Sequence, residues 1–405
     1  MNNNLVSINK CEVCQNQELI DVLDLGLHPM CDDLVEISEQ RTCKEYPIEI
    51  AFCNQCYTAH QRFQIPKLEL FPTTYHYRAQ FTADVLNGMK SLVEDIISSI
   101  GSIENKKVLD IGCNDGSLLN FFKERKALTF GIEPTSACKD AIENGHQVIN
   151  DFFSIETAQK ILQKIGKPDI ITFTNVFAHI ENLEAVIQAL KILISTKTII
   201  IIENHYLGSV LERLQFDTFY HEHPRTYSYK SFTYIASSLG LDLLHVSFPS
   251  RYGGNIRVMV GNRNEYYFES IDDKKILETE AHFFNDFKLM NDKILKWKIE
   301  MSEVIENEVK LNGKLKAKAF PGRSAILVKL LGLDENVVSV VYEKPGSMKL
   351  GHFVPGTKIP IESDTELFKT LSHEKVILNL AWHIDKEIEK YLSNNGFKGE
   401  IINIL

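Results

Sequence analysis

The stretch "KKVLDIGCNDGSLLNFFKERK", Lys106–Lys126, decides the fold. Its first half is a short apolar run, its middle a glycine turn, and its second half has the apolar spacing of a helix. It predicts a strand over Lys107–Ile111, a turn through Gly112 and Gly116, and a helix to Arg125. The same order recurs outward from it. "ALTFGIEPT" (Ala127–Thr135) predicts a second strand ending at Glu133, and "PDIITFTNVFAHI" (Pro168–Ile180) and "KTIIIIENHYL" (Lys197–Leu207) predict two more. Apolar strands alternating with helices argue for an α/β protein built on a parallel, doubly wound sheet.

Composition sets the bounds. The chain has 405 residues, 44% hydrophobic and 24% charged, which fits two or three globular domains and no long disordered span. The formal charge of -10 disfavours nucleic acid as the main partner. The opening "MNNNLVSINK" carries no apolar core of a signal peptide, and the longest apolar runs are too short to cross a bilayer. A cytoplasmic protein with no membrane partner is expected, and cysteines then need a reason other than disulfides.

Six of the eight cysteines lie within the first 56 residues. "CEVC" (Cys11, Cys14) and "CNQC" (Cys53, Cys56) are two C-x-x-C pairs separated by 38 residues. Each pair can aim two thiolates at one ion, and two pairs supply the four soft ligands that tetrahedral zinc prefers. Cys31 and Cys43 lie in the gap and could compete as ligands. The expected domains are a zinc-binding one over residues 1–66, a Rossmann-like one over 67–265, and a helical linker with a smaller α/β domain over 266–405.

The first turn suits a particular cofactor. Gly112 and Gly116 let the backbone turn tightly, and Glu133 closes the next strand 21 residues after Gly112, where a carboxylate can accept from both ribose hydroxyls of an adenosine. The dinucleotide fingerprint is absent because Asn114 stands at its second glycine, and Asp115 would repel a pyrophosphate. An acidic turn, with Asp110 just before it, fits the cationic end of S-adenosylmethionine. Asp151 and Phe152 are placed for the adenine, and Asn175 to His179 for the sulfonium side.

A denser cluster follows in "QFDTFYHEHPRTYSYKSF", Gln215–Phe232. Tyr220, His221, Glu222, His223 and Arg225 stand together where a core segment would avoid unpaired polar groups. Histidine has an unperturbed pKa of about 6.5 and suits proton transfer. Arg225, Arg251 and Arg257 could bind a diphosphate by forked hydrogen bonds.

These motifs, with "GIEP", "NVFAHIENL", "YGGNIR" and "GHFVPGTKIPI", make the chain resemble the S-adenosylmethionine-dependent sugar C-methyltransferases of deoxysugar biosynthesis over nearly its whole length. The resemblance implies a zinc-binding domain, a methyltransferase domain and a C-terminal Rossmann-like domain. It implies methyl transfer to a carbon beside the ketone of a nucleotide-linked 4-keto-deoxysugar. It makes His223 the general base, with Tyr220 and Glu222 beside it and Tyr75 or Tyr77 contributed by the preceding loop. His221, Arg225, Tyr252, Asn255 and Arg257 are the expected substrate residues. A monomer is expected.

Three departures stand out. The family's His-Gly-Gly-Ser-Leu-Arg is "YGGNIR" here, so Tyr252 replaces a histidine; "TTYHYRAQFT" lacks the family's serine-rich form; and "AFPGRSAIL" replaces a glycine- and lysine-containing turn. Two other readings compete with C-methylation: O-methylation of a sugar on the same scaffold, and a zinc-ribbon adaptor without catalysis.

Overall fold

The computed structural model describes residues 5–71, 78–81 and 83–405. Tyr75 and Tyr77, expected near the reacting centre, lie outside the described residues. The chain forms two compact units. The first contains residues 1–21, 51–213 and 222–284, and the second 22–50, 214–221 and 285–405.

A seven-stranded sheet organises the first unit. Its strands are β1 (Lys107–Ile111), β2 (Leu128–Ile132), β3 (Gln147–Ile149), β4 (Ile170–Thr174), β5 (Ile199–His205), β6 (Asp242–Ser247) and β7 (Asn255–Gly261), in the order β6-β7-β5-β4-β1-β2-β3. β1 to β5 are mutually parallel, whereas β7 runs antiparallel to both β5 and β6. The predicted α/β order is therefore present, with an antiparallel edge.

The sequence explains why the middle strands sit inside. Ile199, Ile200, Ile201 and Ile202 expose none of their surface, because β5 is covered on both faces. Helices flank the sheet. The helix Ala83–Ile100 buries Val85, Leu92, Val93 and Ile96, against the same core as Val108, Leu118, Phe122 and Ile199. Helix Ile155–Ile165 starts at a reciprocal Ser154–Thr157 capping box, and helix Leu183–Leu193 is capped by the Asn182 side chain.

The chain order of the parallel strands reverses between β1 and β4. Loops leaving their carboxyl ends diverge there, and such a switch point is where open α/β sheets bind ligands. Of the residues predicted for the cofactor, Asp110 lies within β1 and the others follow β1, β2, β3 and β4.

In the second unit, five parallel strands, β8 (Leu315–Lys318), β9 (Val338–Glu343), β10 (Ile361–Ser363), β11 (Val376–Asn379) and β12 (Glu400–Asn403), take the order β10-β9-β8-β11-β12. This unit also contains nearly all of the long helix Phe283–Asn312. No helix among the described residues is long and apolar enough to cross a membrane.

Candidate active site and zinc centre

Four sulfur atoms converge in the first unit. Cys11 and Cys14 flank one tight turn, closed by the Gln15 N–H donating to the Cys11 carbonyl, with Gln15 at a φ of 64°. Cys53 and Cys56 flank a second, closed by the Tyr57 N–H on the Cys53 carbonyl. The ligand atoms of all four lie within 4.8 Å of one another. Without a metal the sulfurs share protons: S–H donors from Cys11 and Cys56 hold Cys53 below the ordinary thiol range, while Cys11 and Cys56 are themselves pushed up. A closed set of four sulfurs suits zinc in a structural role. Cys31 and Cys43 belong to the second unit and are not in this group; the Cys43 thiol donates to the Asp33 carbonyl at 3.2 Å.

The zinc segment holds the loop that carries Glu222 and His223. Arg225 and Thr226 pair antiparallel with His60 and Ala59, on the strand just after Cys56. The Gln61 N–H donates to the Pro224 carbonyl at 2.8 Å, and the Ser228 hydroxyl to the Cys56 carbonyl at 2.9 Å. Arg225 is fully buried, with Nη1 on Glu12 Oε2, Nη2 on the Ile180 carbonyl and Nε on the Tyr227 hydroxyl.

At the end of β1, Gly112 has a φ of +71°, and a Cβ there would lie 2.6 Å from Val176 Cγ2. Glu133 is 5% exposed, and its carboxylate accepts the Asn114 N–H at 2.9 Å and the Thr135 N–H at 2.8 Å. These donors fix the carboxylate at the lip of the sheet, and each oxygen has a further lone pair for a ligand. Burial raises Asp110 to about 7, partly offset by the Thr172 hydroxyl at 2.6 Å, so it is largely neutral under acidic conditions. Asp115 is spent locally: it accepts from the Ser117 N–H and hydroxyl and from the Gln80 N–H, tying the turn to the residues before helix Ala83–Ile100. The Asn114 side-chain carbonyl accepts the Ala79 N–H at 3.0 Å.

Asp151 is exposed beyond β3, where Oδ1 accepts the Phe152 N–H. The Lys67 ammonium lies 4.6 Å from the centroid of the Phe152 ring. Asn175, with a φ of 53°, donates its N–H to the Glu203 carbonyl at 2.7 Å.

The histidines gather beside this edge. His223 is 4% exposed, and its ring lies 4.7 Å from that of His179 and 5.3 Å from that of His205, centroid to centroid. His179 donates Nδ1–H to the Glu222 carbonyl at 2.7 Å, and burial pushes its imidazole down to about 4. Nδ1 is thereby fixed as the protonated nitrogen, and Nε2 has the basic lone pair. His179 follows β4, and His205 ends β5 opposite Asn255. His205 was not singled out in the sequence; its position as the last residue of an apolar strand, at a carboxyl end, is the signal that would have found it.

The remaining expected residues have other partners. Asn255 donates to Glu203 Oε1 at 2.9 Å, and Arg257 donates Nε to Glu203 Oε2 at 2.6 Å and Nη1 to Asp95. Arg251 Nε lies 3.1 Å from Glu203 Oε1. Glu203 and Asp95 together thus offset the charges of the two buried arginines within the first unit. Tyr252 lies in the short turn Arg251–Gly253. Tyr220 and His221 belong to the second unit; His221 donates Nε2–H to the Tyr46 carbonyl at 3.1 Å, and burial pushes it down to about 4.

A switch-point edge with a buried, anchored carboxylate, adjoining imidazoles and a closed four-sulfur centre fit a zinc-bearing, S-adenosylmethionine-dependent methyltransferase. Family models match three consecutive parts of the chain: "Putative zinc binding domain" over residues 11–71, "Methyltransferase domain" over 85–246 and "C-methyltransferase C-terminal domain" over 250–402. The three matches follow one another in this order between residues 11 and 402. It is similar to the C-methyltransferase NovU of Streptomyces niveus, at 23% identity over 402 residues, covering 96% of this chain and 94% of that protein. Among solved structures it is similar to magnesium protoporphyrin IX methyltransferase from Synechocystis with S-adenosylmethionine bound (14% identity, 44% of this chain and 80% of that one, TM-score 0.33). A methyltransferase from Archaeoglobus fulgidus matches at 15% identity over 43% of this chain and 93% of that one, with a TM-score of 0.36.

Proposed function

We propose that the protein methylates a carbon adjacent to the ketone of a nucleotide-linked keto-deoxysugar, through an enolate formed by His223. The observation that carries this reading is the packing of His223 between the rings of His179 and His205, at the carboxyl edge that also presents Glu133.

Carbon becomes nucleophilic only once a proton has left it. S-adenosylmethionine supplies the methyl group and its sulfonium leaving group. The chain's own residues do the rest. Glu133 accepts from the ribose hydroxyls, Gly112 admits the cofactor close to the turn, and Asp151 and Phe152 take the adenine. Asp110 and Asn114 shape the turn, and Asp115 keeps it in place through Ser117 and Gln80. His223 takes the proton from carbon. Glu222 orients His179 through its carbonyl, and so helps to set the wall against which His223 rests. Tyr75 or Tyr77 supplies the hydroxyl donor that an enolate oxygen requires, worth roughly 2.7–4 kcal/mol in comparable sites.

The curated relative's name specifies C-methyl transfer, which favours carbon over oxygen as the acceptor. The test uses thymidine- and uridine-diphosphate-linked 4-keto-6-deoxyglucose in deuterated water. Deuterium should enter at the carbon beside the ketone in the presence of S-adenosylhomocysteine, and S-adenosylmethionine should give a product with a carbon-bound methyl. An oxygen-bound methyl without exchange would replace this reading by O-methylation.

A further inference from the structure

A base that is 4% exposed must discard its proton before the next turnover, and His223 faces that difficulty. Carbon deprotonation breaks a C–H bond, leaves the electron pair as the enolate, and forms an N–H bond on His223. The enolate then takes the methyl, the C–S bond breaks towards sulfur, and the sulfonium charge is lost. One proton remains on His223 and has to reach water.

Among the described residues two imidazole rings lie against it, and they are not equivalent. His179 holds its Nδ1–H against the Glu222 carbonyl at 2.7 Å. A proton entering at Nε2 of His179 would drive another out at Nδ1 onto a backbone carbonyl, which cannot pass it on. His205 differs in its surroundings. It ends β5, its backbone is held opposite Asn255 by the strand ladder, and it is half-buried where His223 is closed off. Its ring lies 5.3 Å from that of His223, centroid to centroid, inclined at 52°. Edges of rings at this separation come within proton-transfer reach directly or through one water.

We infer that His205 is the relay residue that carries the proton from His223 to solvent. An imidazole accepts at one nitrogen while releasing from the other, so the transfer balances without any further reactant. The inference rests on His223 being the base of the proposed reaction.

The experiment is methyl transfer to the same two diphosphate-linked 4-keto-6-deoxyglucoses, comparing the unmodified chain with His205→Ala and His205→Gln. The expected result is a fall in kcat of about 10²-fold with little change in KM. Added imidazole should restore His205→Ala, and turnover of both variants should rise with buffer concentration. Those two responses are signatures of proton transfer that a structural role would not produce. Full activity in both variants overturns the inference while leaving the methylation reading intact. So does a loss in both variants that neither imidazole nor buffer relieves, or loss of the folded state in both. If the unmodified chain neither exchanges nor methylates either sugar, the functional reading falls and the relay falls with it.

Discussion

Arg225 pairs with Glu12, a residue of the histidine-bearing loop with one inside the first C-x-x-C turn. Burial would raise the Glu12 carboxyl, but Arg225 and His60 hold it at about 2. The zinc segment is therefore tied directly to the loop that carries Glu222 and His223. The strand pair Arg225–His60 and the Ser228 bond to the Cys56 carbonyl make the same connection through the backbone.

Arg225→Met should be strongly destabilising. It leaves the Glu12 carboxylate without its counter-charge and the Ile180 carbonyl without its donor in a buried setting, at a cost of about 3–5 kcal/mol. Thermal or denaturant unfolding of the variant measures this. Glu12→Gln should be milder, since its amide oxygen still accepts from Arg225. Equal stability of Arg225→Met and the unmodified chain would mean that the pair is idle.

Stripping zinc should disable the histidine loop as well as the N-terminal segment. Elemental analysis should find one zinc per chain, and Cys53→Ser with Cys56→Ser should abolish it. Hydrogen exchange on the metal-free protein should show loss of protection at Gln61 and Ser231, whose N–H groups lie in the stitched region. Unchanged protection there after metal removal would separate the two regions energetically.

Glu133→Ala should weaken S-adenosylmethionine binding by about tenfold or more, since two ribose hydrogen bonds to a charged acceptor are lost at about 1.5–3 kcal/mol each, less compensation by water. Gly112→Val should weaken it further, because its Cβ already collides with Val176 and its φ of +71° is unfavourable for a branched residue. Calorimetric titration with the cofactor checks both; unaltered affinity in both would move the cofactor elsewhere.

His223→Asn should lower kcat by about 10²–10⁴-fold while cofactor affinity and unfolding temperature stay near those of the unmodified chain. If turnover survives this change but is abolished in Glu222→Gln, the base has been misplaced by one residue.

Glu280 provides a pH test away from the reacting centre. It is fully buried, accepts from the Tyr206 hydroxyl and the Tyr229 and Lys230 N–H groups, and burial raises it to about 7. Because the folded state holds this proton more tightly than the unfolded chain, its contribution is present below about 4.5 and is lost as pH rises through about 7. Glu280→Gln should remove that slope, worth on the order of 3 kcal/mol. Unfolding temperatures at pH 5 and pH 8 should diverge in the unmodified chain more than in the variant.

Much of this molecule could be read from local pattern. Apolar runs that end at Asp110, Glu133 and Thr174 announce parallel strands, because a strand covered on both faces needs unbroken hydrophobicity. The glycine turn after β1 and the two C-x-x-C pairs are equally local, since backbone freedom and ligand chemistry are properties of single residues at short spacing. What no local pattern carries is which distant side chains meet. Cys11 and Cys14 find Cys53 and Cys56 rather than Cys31 or Cys43 only once the intervening strands have folded. The four adjacent residues of "YHEH" divide between units, with His221 turned to the Tyr46 carbonyl and His223 to His179 and His205. Neighbours in an irregular segment point in different directions, and the direction is set by what packs around it. The arginines show the same limit: a guanidinium near a polar motif reads as a phosphate ligand, yet Arg225 and Arg257 were claimed by Glu12 and Glu203. A buried charge must find its counter-charge, and its partner's position is decided by the fold as a whole.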